Sequence, residues 1–584
     1  MTKEKDAQAP FAENAKPQRS RSRYLYTLLL LVPVHAWVNH QWTPFGAHRG
    51  GNKCASSNSL CAQVDALYPT KNTGLWDEVG DIVGTETFKS KAIEWLAGAV
   101  RVPTESYDGM DPVGVDPRWD AFGPFHDYLL GAFPQVHATL QLEKVNTWGL
   151  LYEWTGSDAS LKPLLLAGHQ DVVPVHPNTV SEWVHPPYSG YYDGELIWGR
   201  GSSDDKSGVI GILSALETLI LKGFQPTRSI VLAFGFDEEI SGTHGAAFLA
   251  SRLLEKYGQN AFALVVDEGG GFTEVYGTPV ATPGTAEKGY IDIKVAVAAP
   301  GGHSSVPPAH TSIGILSSLL VAIEANPYEL KLTREDILYE TLQCYAAHGK
   351  TVPPELRKAV KKAAHSDKGL RAIEDILFTE LAYASLVKTT QAIDLIDGGV
   401  KTNALPEQAA AVVNHRISTR SSVKETQDHI TTTLAPVAAS FSLNFTAFGD
   451  VIASVPNAKG TLDLSPAFSH SLEPAPRTPT AGEDADAYRL LSGTIKAAFN
   501  AHRGYDVDTQ EIVVSPGMPT GNTDTKYYWG LSPNIFRYNH KNSGNKVNRL
   551  GGAHTTNENI EVDAFLEMIR FFVALVLNAD ESEL

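Results

Sequence analysis

The sequence predicts an α/β protein with a mostly parallel sheet, interrupted by an inserted α+β domain. Three observations lead to this prediction. Between residues 160 and 285, short apolar runs alternate with longer helical patterns, which is typical of parallel strands joined by crossover helices. After residue 287, one segment alternates apolar and polar residues as a half-exposed antiparallel strand does. The C-terminal part then returns to the first pattern and completes the interrupted domain.

The apolar runs 164–167, 229–236 and 263–266 stop abruptly and predict buried strands. Helices are predicted between them, starting near Gly208 and Gly245. The inserted domain is expected to contribute strands at 290–297, 409–416 and 441–448. Residues 357–375, rich in Lys and Ala, predict an insertion with little core character, whereas the prolines of 455–480 predict a long loop. A last helix is expected around Val562–Leu577.

These patterns divide the chain into six segments. We expect a polar tail at 1–23, a hydrophobic segment at 24–38 and a linker at 39–75. The main domain is expected at 76–286 and 453–584, and the inserted domain at 287–452.

Composition and charge narrow the function classes. Of 584 residues, 43% are hydrophobic and 20% charged, as in ordinary globular proteins. The formal net charge is −18, with no arginine-rich stripe, so the surface repels polyphosphate. Nucleic acid is therefore not an expected partner.

The three cysteines limit both redox chemistry and metal binding. Cys54 and Cys61 lie close together in sequence, and Cys344 is distant. Either all three are unpaired, or Cys54 and Cys61 form a disulfide in an oxidising lumen. Three cysteines cannot build a Cys-rich zinc site, so a metal ion here must use His and carboxylate ligands.

The N-terminal hydrophobic segment predicts targeting to a lumen. Residues 24–38 follow Arg19, Arg21 and Arg23 and are shorter than the roughly 20 apolar residues that comfortably span a bilayer. Two interpretations remain: a short signal anchor with the main body in the lumen, or a signal peptide cleaved near Ala36. We favour the anchor, which makes the membrane a partner through this segment.

Acidic and imidazole side chains stand where predicted strands end or helices begin. The set comprises His169, Asp171, Asp204, Asp205, Asp237, Glu238, Glu239, Asp267, Glu268 and His554. Functional groups gather beyond the carboxyl ends of parallel strands, so we expect these side chains to meet at one edge of the sheet. Together they can supply two histidines and three carboxylates to a pair of metal ions, which predicts a two-metal hydrolase.

Ligand chemistry suggests a role for each group. Imidazole and carboxylate suit Zn²⁺ at about 2.0–2.2 Å. Two dications repel each other, and a bridging carboxylate, for which Asp204 is the candidate, reduces that repulsion. Asp171 can accept the second ring N–H of His169 and orient it. Of Glu238 and Glu239, one can bind metal while the other remains free as a general base.

This arrangement resembles the M20 metallopeptidase family from about His169 to His554. The resemblance implies a zinc-exopeptidase-like catalytic domain, interrupted by a lid or dimerisation domain, and a cofactor of two zinc ions. It implies that His169, Asp204 and Asp267 hold one zinc, and that Asp204, Glu239 and His554 hold the other. Glu238 would be the general base and Asp171 the orienting acid.

The resemblance also assigns residues of the inserted domain. Gly301-Gly302-His303 is similar to the segment whose histidine polarises the scissile carbonyl. Asn403 and Arg416 resemble the pair that binds the substrate carboxylate, although Asn414 stands where the family often has an acid. In family dimers this histidine serves the neighbouring subunit, whereas an enlarged lid can let a monomer close its own site, so both a homodimer and a monomer stay open.

The N-terminal segment and the large insertion are most similar to the fungal carboxypeptidase S branch. This implies an enzyme of the vacuole lumen that hydrolyses the C-terminal bond of Gly-Xaa dipeptides and short peptides. One alternative is an N-acyl-amino-acid hydrolase or synthase, which also takes substrates with a free carboxylate. Another is a non-catalytic, receptor-like ectodomain.

Overall fold

The computed structural model describes residues 60–519, 521–542 and 552–584. The predicted tail, the hydrophobic segment 24–38 and Cys54 lie outside these ranges. Among the described helices, none is both long and apolar enough to span a membrane.

Fourteen α-helices lie within the described ranges. They are α1 (Thr73–Val83), α2 (Glu86–Val100), α3 (Phe122–Ala132), α4 (Pro134–Thr139), α5 (Lys206–Leu221), α6 (Ala246–Tyr257), α7 (Ser312–Ala325), α8 (Ile337–His348), α9 (Pro354–Ala363), α10 (Asp367–Leu377), α11 (Leu381–Val387), α12 (Val423–Ser440), α13 (Asp486–Arg503) and α14 (Val562–Glu581).

The described strands form five sheets. They are β1 (Gln141–Val145), β2 (Gly149–Trp154), β3 (Leu164–His169), β4 (Tyr191–Tyr192), β5 (Leu196–Trp198), β6 (Ile230–Gly235), β7 (Leu264–Asp267), β8 (Phe272–Val275), β9 (Thr278–Ala281), β10 (Gly289–Ala298), β11 (Gly302–His303), β12 (Thr390–Gly398), β13 (Ala404–Leu405), β14 (Gln408–Ile417), β15 (Leu443–Ala447), β16 (Asp450–Ala453), β17 (Gly460–Leu472), β18 (Val513–Val514), β19 (Ile535–Arg537) and β20 (Asn559–Glu561).

The central sheet has the strand order β1-β2-β6-β3-β7-β19. Strands β6, β3, β7 and β19 run parallel, and β1 and β2 add an antiparallel edge. Their apolar runs are buried on both faces: Leu164 and Leu166 face the core that includes α5 and α14, while Leu165 faces the core that includes α6. The predicted α/β fold with a mostly parallel sheet is therefore confirmed, and the parallel strands all end at one edge.

The second sheet has the order β12-β14-β10-β17-β15-β16 and is mostly antiparallel. In β10, buried residues alternate with partly exposed ones, as the sequence pattern predicts. Helices α7 and α12 cover the buried face, where Leu316 and Ile430 are fully buried against the sheet. One face of this sheet therefore remains accessible, unlike either face of the central sheet.

Two local predictions are wrong. Residues 357–375 do have core character: α9 and α10 bury Val360, Leu370 and Ile373 in a cluster with α8. These apolar residues recur at helical spacing among surface lysines, so the average composition conceals them. Residues 455–480 are not a continuous loop, because they contain β17, which pairs with both β10 and β15. The second sheet thus extends to Leu472, beyond the predicted limit at residue 452.

Both alternatives for the cysteines are wrong: they are not all unpaired and Cys61 is not bonded to Cys54, because Cys61 forms a disulfide with Cys344 on α8. The two cysteines are 283 residues apart, so their proximity is a property of the tertiary fold. Gln63 further exchanges hydrogen bonds with the backbone of Val514. The part of the predicted linker that begins at residue 60 is therefore fastened to the body of the protein.

Candidate active site

The parallel strands of the central sheet deliver the first group of polar side chains. His169 is the last residue of β3, and Glu238 and Glu239 follow β6 after a short turn. Asp204 precedes α5 and reaches the same edge from the neighbouring turn. The residue before His169 must be small, since a Cβ on Gly168 would lie 2.8 Å from the Asp205 carboxylate. The sequence prediction that these groups converge is supported by this placement.

Asp204 lies between two imidazoles. Its Oδ1 is 3.2 Å from Nε2 of His169, and its Oδ2 is 3.2 Å from Nε2 of His554. Glu239 Oε2 is 3.0 Å from the same nitrogen of His554. One carboxylate that offers a separate oxygen to each imidazole has the arrangement that a bridging ligand between two ions requires.

Asp171 connects His169 to the turn that carries Glu238 and Glu239. It is fully buried, and its carboxylate accepts hydrogen bonds from the backbone N–H groups of Glu238 and Glu239, each at 3.1 Å. Nδ1 of His169 lies 3.2 Å from the same carboxylate. Ser106, which the sequence analysis missed, donates a hydrogen bond of 2.7 Å to Asp171. Asp171 therefore orients one imidazole and the turn that carries both glutamates.

The structure places Glu268, rather than Asp267, beside the imidazole. Glu268 Oε2 is 3.6 Å from His169 Nε2, and donor atoms of His169, Glu238 and Glu268 lie within 4.8 Å of one another. Asp267, the last residue of β7, is 2% exposed and belongs to neither cluster of metal-ligating groups among the described residues. Successive side chains along a strand point to opposite faces of the sheet, so two adjacent acids at the end of a strand do not face the same imidazole.

The pKa shifts of the side chains at this site reflect an excess of acidic over basic groups. Burial opposes protonation of His169, yet the charge of Glu268 and the bonds with Asp171 and Asp204 raise its pKa well above the ordinary value. Bonds with Asp204 and Glu239 raise the pKa of His554 to about 10. Burial and the charge of Glu268 raise the pKa of Glu238 well above its usual range. A surplus of buried negative charge of this kind is stabilised when cations bind.

The donor set fits zinc. His169, Asp204 and Glu239 offer one donor atom each within 4.8 Å of one another, which is the imidazole and carboxylate combination that Zn²⁺ favours. Oε1 of Glu239 is buried and has no hydrogen-bond partner among the described residues. Such an acceptor is costly to bury unless a cation or donor satisfies it.

Arg416 connects the second sheet to the metal-site region. Its Nη1 donates a 3.1 Å hydrogen bond to Asn522, whose amide in turn donates to the Lys288 carbonyl. Thr525, three residues after Asn522, bonds both Glu287 and Arg537. The loop 521–525 therefore joins β14, the start of β10 and the end of β19, and sequence reasoning had no signal for it.

His303 and Asn403 lie on one exposed ribbon. Strands β11 and β13 pair so that His303 is opposite Ala404, and the Ser304 N–H donates to the Asn403 carbonyl. The side-chain contact that the structure shows for His303 is with Ser305, at 2.7 Å. The structure thus brings these two residues together but places neither in the metal-ligating clusters of the described residues. Asn414, the departure noted in the sequence, bonds Asp292 of β10, which places an acid next to it.

Comparisons with known proteins agree with this geometry. Residues 165–578 match the family described as Peptidase family M20/M25/M40. The chain is 40% identical over 525 residues to carboxypeptidase S of Saccharomyces cerevisiae, covering 89% of each protein. It is 31% identical over 493 residues to N-fatty-acyl-amino acid synthase/hydrolase PM20D1 of Mus musculus, covering 83% of this chain and 87% of that protein. The solved structure of human carnosine dipeptidase 1 shares the fold, with a TM-score of 0.56 and 15% identity, over 88% of this chain and 100% of that chain.

A mixed α/β sheet with imidazoles and carboxylates gathered at its carboxyl edge has the donor groups expected of a metal-dependent hydrolase. With a family match across residues 165–578 and the similarity to carboxypeptidase S, the particular family is clear. The chain belongs to peptidase family M20/M25/M40 and is a metallo-carboxypeptidase.

Proposed function

We propose that this protein is a two-zinc carboxypeptidase that hydrolyses the C-terminal bond of dipeptides and short peptides, including Gly-Xaa. The observation that supports this most directly is Asp204, with one oxygen 3.2 Å from His169 and the other 3.2 Å from His554. His169, Asp204 and Glu268 would hold one ion, and Asp204, Glu239 and His554 the other. Glu268 here replaces Asp267, which is the residue that the family resemblance suggests.

The residues divide the chemistry among themselves. When bound, the two ions supply the Lewis acidity that brings the pKa of an attacking water towards neutrality. Glu238, a half-buried carboxylate in the turn after β6, would take the proton of that water and pass it to the leaving amine. The Asp171 carboxylate fixes the position of the turn that carries Glu238 and the orientation of the His169 imidazole, because it contacts both.

Recognition of the substrate is assigned to the second sheet. Arg416 would pair with the free carboxylate, since it is a half-buried guanidinium beside the loop that borders the central sheet. Asn403 would assist, and His303 would stabilise charge on the carbonyl oxygen. Because both lie on an exposed ribbon, closure of this ribbon or a second subunit would have to bring them to the substrate. Edge strand β12 exposes Leu395 and Ile396 by 55% and 65%, which supports a homodimer through this sheet.

The second candidate is hydrolysis or synthesis of N-acyl amino acids by the same residues. The observation that favours it is the 31% identity to the N-fatty-acyl-amino acid synthase/hydrolase of mouse. Both candidates require an amide next to a free carboxylate, so they differ only on the acyl side.

We also propose that the enzyme works in the vacuole lumen, attached by a type II anchor at 24–38; secretion after cleavage is the alternative. The support is the arginine-flanked hydrophobic segment and the Cys61–Cys344 disulfide, which an oxidising lumen preserves.

The experiment is a substrate panel with and without metal. Release of leucine from Gly-Leu and of phenylalanine from N-oleoyl-Phe would be measured before and after chelation, and again after zinc is restored. Chelator-sensitive, zinc-restored cleavage of Gly-Leu supports the peptidase proposal. Exclusive cleavage of N-oleoyl-Phe favours the second candidate, and activity that survives complete metal removal contradicts both.

A further inference from the structure

A second cavity lies next to the candidate active site. It has a volume of about 240 Å³ and is enclosed by α8, α11 and the segment around Met518. Most of its lining is apolar: Ile337, Leu338, Tyr345, Tyr383, Leu386 and Met518. Small-molecule sites in proteins have volumes of about 300–1,000 Å³ and are mostly apolar, so this cavity suits one part of a ligand.

The cavity meets the active-site cavity at Gly270. The active-site cavity, of about 220 Å³, includes Asp204, Glu268 and Gly270 in its lining, and Gly270 also lines the second cavity. Gly270 is exposed, and a Cβ added there would meet no atom within 4 Å. A chain that starts at the carboxylates proposed to bind metal would reach the apolar space past Gly270.

The walls of the cavity are held in place by the rest of the protein. The Cys61–Cys344 disulfide joins helix α8 to the segment of the chain that begins at residue 60. Thr341 of the same helix donates a 2.7 Å hydrogen bond to the Pro516 carbonyl, next to the segment that forms the opposite wall. Arg537, at the end of the cavity, bonds Thr525 and Glu287. A space with walls fixed in this way is formed before a ligand arrives, which lowers the entropic cost of binding.

We propose that this cavity is a substrate subsite that takes an apolar chain attached to the scissile amide. This inference rests on the proposed function and adds the class of side group that the enzyme prefers. The charged side chain of the lining is Arg537, which forms an ion pair with Glu287, and the described lining contains no carboxylate, so a cationic chain would lose its hydration without replacement. The chain can come from two sources: the side chain of the carboxylate-bearing residue, or the group on the acyl side.

Two substrate series distinguish these sources. The first is Gly-Ala, Gly-Leu and Gly-Phe; the second is acetyl-, hexanoyl- and decanoyl-leucine. In one of the two series, kcat/KM of the full-length enzyme is expected to rise by about fourfold for each methylene that enters the cavity. The series that rises identifies the source.

Variants then locate the effect. Leu386→Trp fills the cavity, and Gly270→Leu narrows the passage where a side chain has room. Each is expected to lower kcat/KM at least tenfold for the longest member and less than twofold for the shortest. Leu381→Trp is the matched control, because Leu381 lies on the same helix α11 and is 82% exposed.

The inference is overturned if neither series depends on chain length, or if the two variants lower the shortest and longest members equally. Calorimetric binding of the shortest and longest members of both series, measured on the Glu238→Ala enzyme and on its Leu386→Trp derivative, keeps the test independent of turnover, because Glu238→Ala is expected to retain metal and to lower kcat about 10³-fold. If the enzyme cleaves no member, the proposed function fails, whereas the subsite survives only if, in one of the two series, Leu386→Trp weakens binding of the longest member (Gly-Phe or decanoyl-leucine) more than binding of the shortest. Equal binding to parent and variant contradicts the subsite even in an active enzyme.

Discussion

The edge of the central sheet and the exposed ribbon of β11 and β13 carry the two halves of the proposed chemistry, and they differ in how their residues are fixed. His169 is 1% exposed and is surrounded by hydrogen-bond and charge partners that come from separate strands and turns. His303 and Asn403 are exposed, and their described contacts are local to the ribbon. The groups proposed to bind metal are thus positioned by the core, whereas the groups proposed to contact the substrate depend on movement or on a partner subunit.

The largest effect is expected from a substitution that removes the proposed general base at the edge of the central sheet. Glu238→Ala should lower kcat by about 10³-fold, because a positioned base contributes about 10²- to 10⁴-fold. Metal content should stay at two ions per chain, since Glu238 is assigned to proton transfer. Steady-state kinetics and metal analysis of the same sample would measure both.

The matched control is Glu274→Ala, which changes an exposed glutamate of β8 and should leave both quantities unchanged. Undiminished turnover of Glu238→Ala would remove this residue from the mechanism.

A pair of adjacent substitutions sharpens the assignment of ligands at the same edge. Glu268→Gln should weaken the binding of one zinc ion at least 100-fold, because a ligand lost directly costs more than the 10- to 100-fold of an outer partner. Asp267→Asn should change it less than tenfold. Competition with a chromophoric chelator would rank the two variants, and the reverse order would restore Asp267 as the ligand.

On the second sheet, Arg416→Ala should raise KM for Gly-Leu by about 10- to 100-fold, the range of a lost hydrogen bond to a charged group. Turnover at saturation should change little, since this contact is made equally in the ground and transition states. Arg420→Ala, which removes an arginine bonded to Asp336 instead, is the control. A fall in kcat with unchanged KM would contradict a role for Arg416 in carboxylate binding.

The smallest effect concerns stability of the second sheet. Burial lowers the pKa of His415 on β14 to about 4, so the folded protein resists protonation that the unfolded chain accepts near pH 6.5. Stability is therefore retained above pH 6.5 and is lost as the pH falls towards 4, by about 2 kcal/mol between pH 7 and pH 5.

His415→Leu should reduce that loss in denaturant unfolding curves recorded at both pH values. An identical loss in parent and variant would show that other groups cause the acid sensitivity.

The sequence predicted the centre better than its surroundings for a physical reason. His169 and Glu238 come at or just after the ends of short apolar runs that stop abruptly, which indicates buried strands, and parallel strands bring their ends together. Whether Asp267 or Glu268 faces the imidazole depends on the residue at which β7 ends, which periodicity does not determine to within one position. The Cys61–Cys344 bond and the pairing of β17 join residues distant in the chain, so no local pattern reports them.

The most direct test is anomalous diffraction at the zinc edge from crystals of the zinc-loaded enzyme. Two peaks are predicted, one on each side of the Asp204 carboxylate, with His169 and Glu268 around one and Glu239 and His554 around the other. A single peak, or two peaks that do not share Asp204, would contradict the two-metal centre.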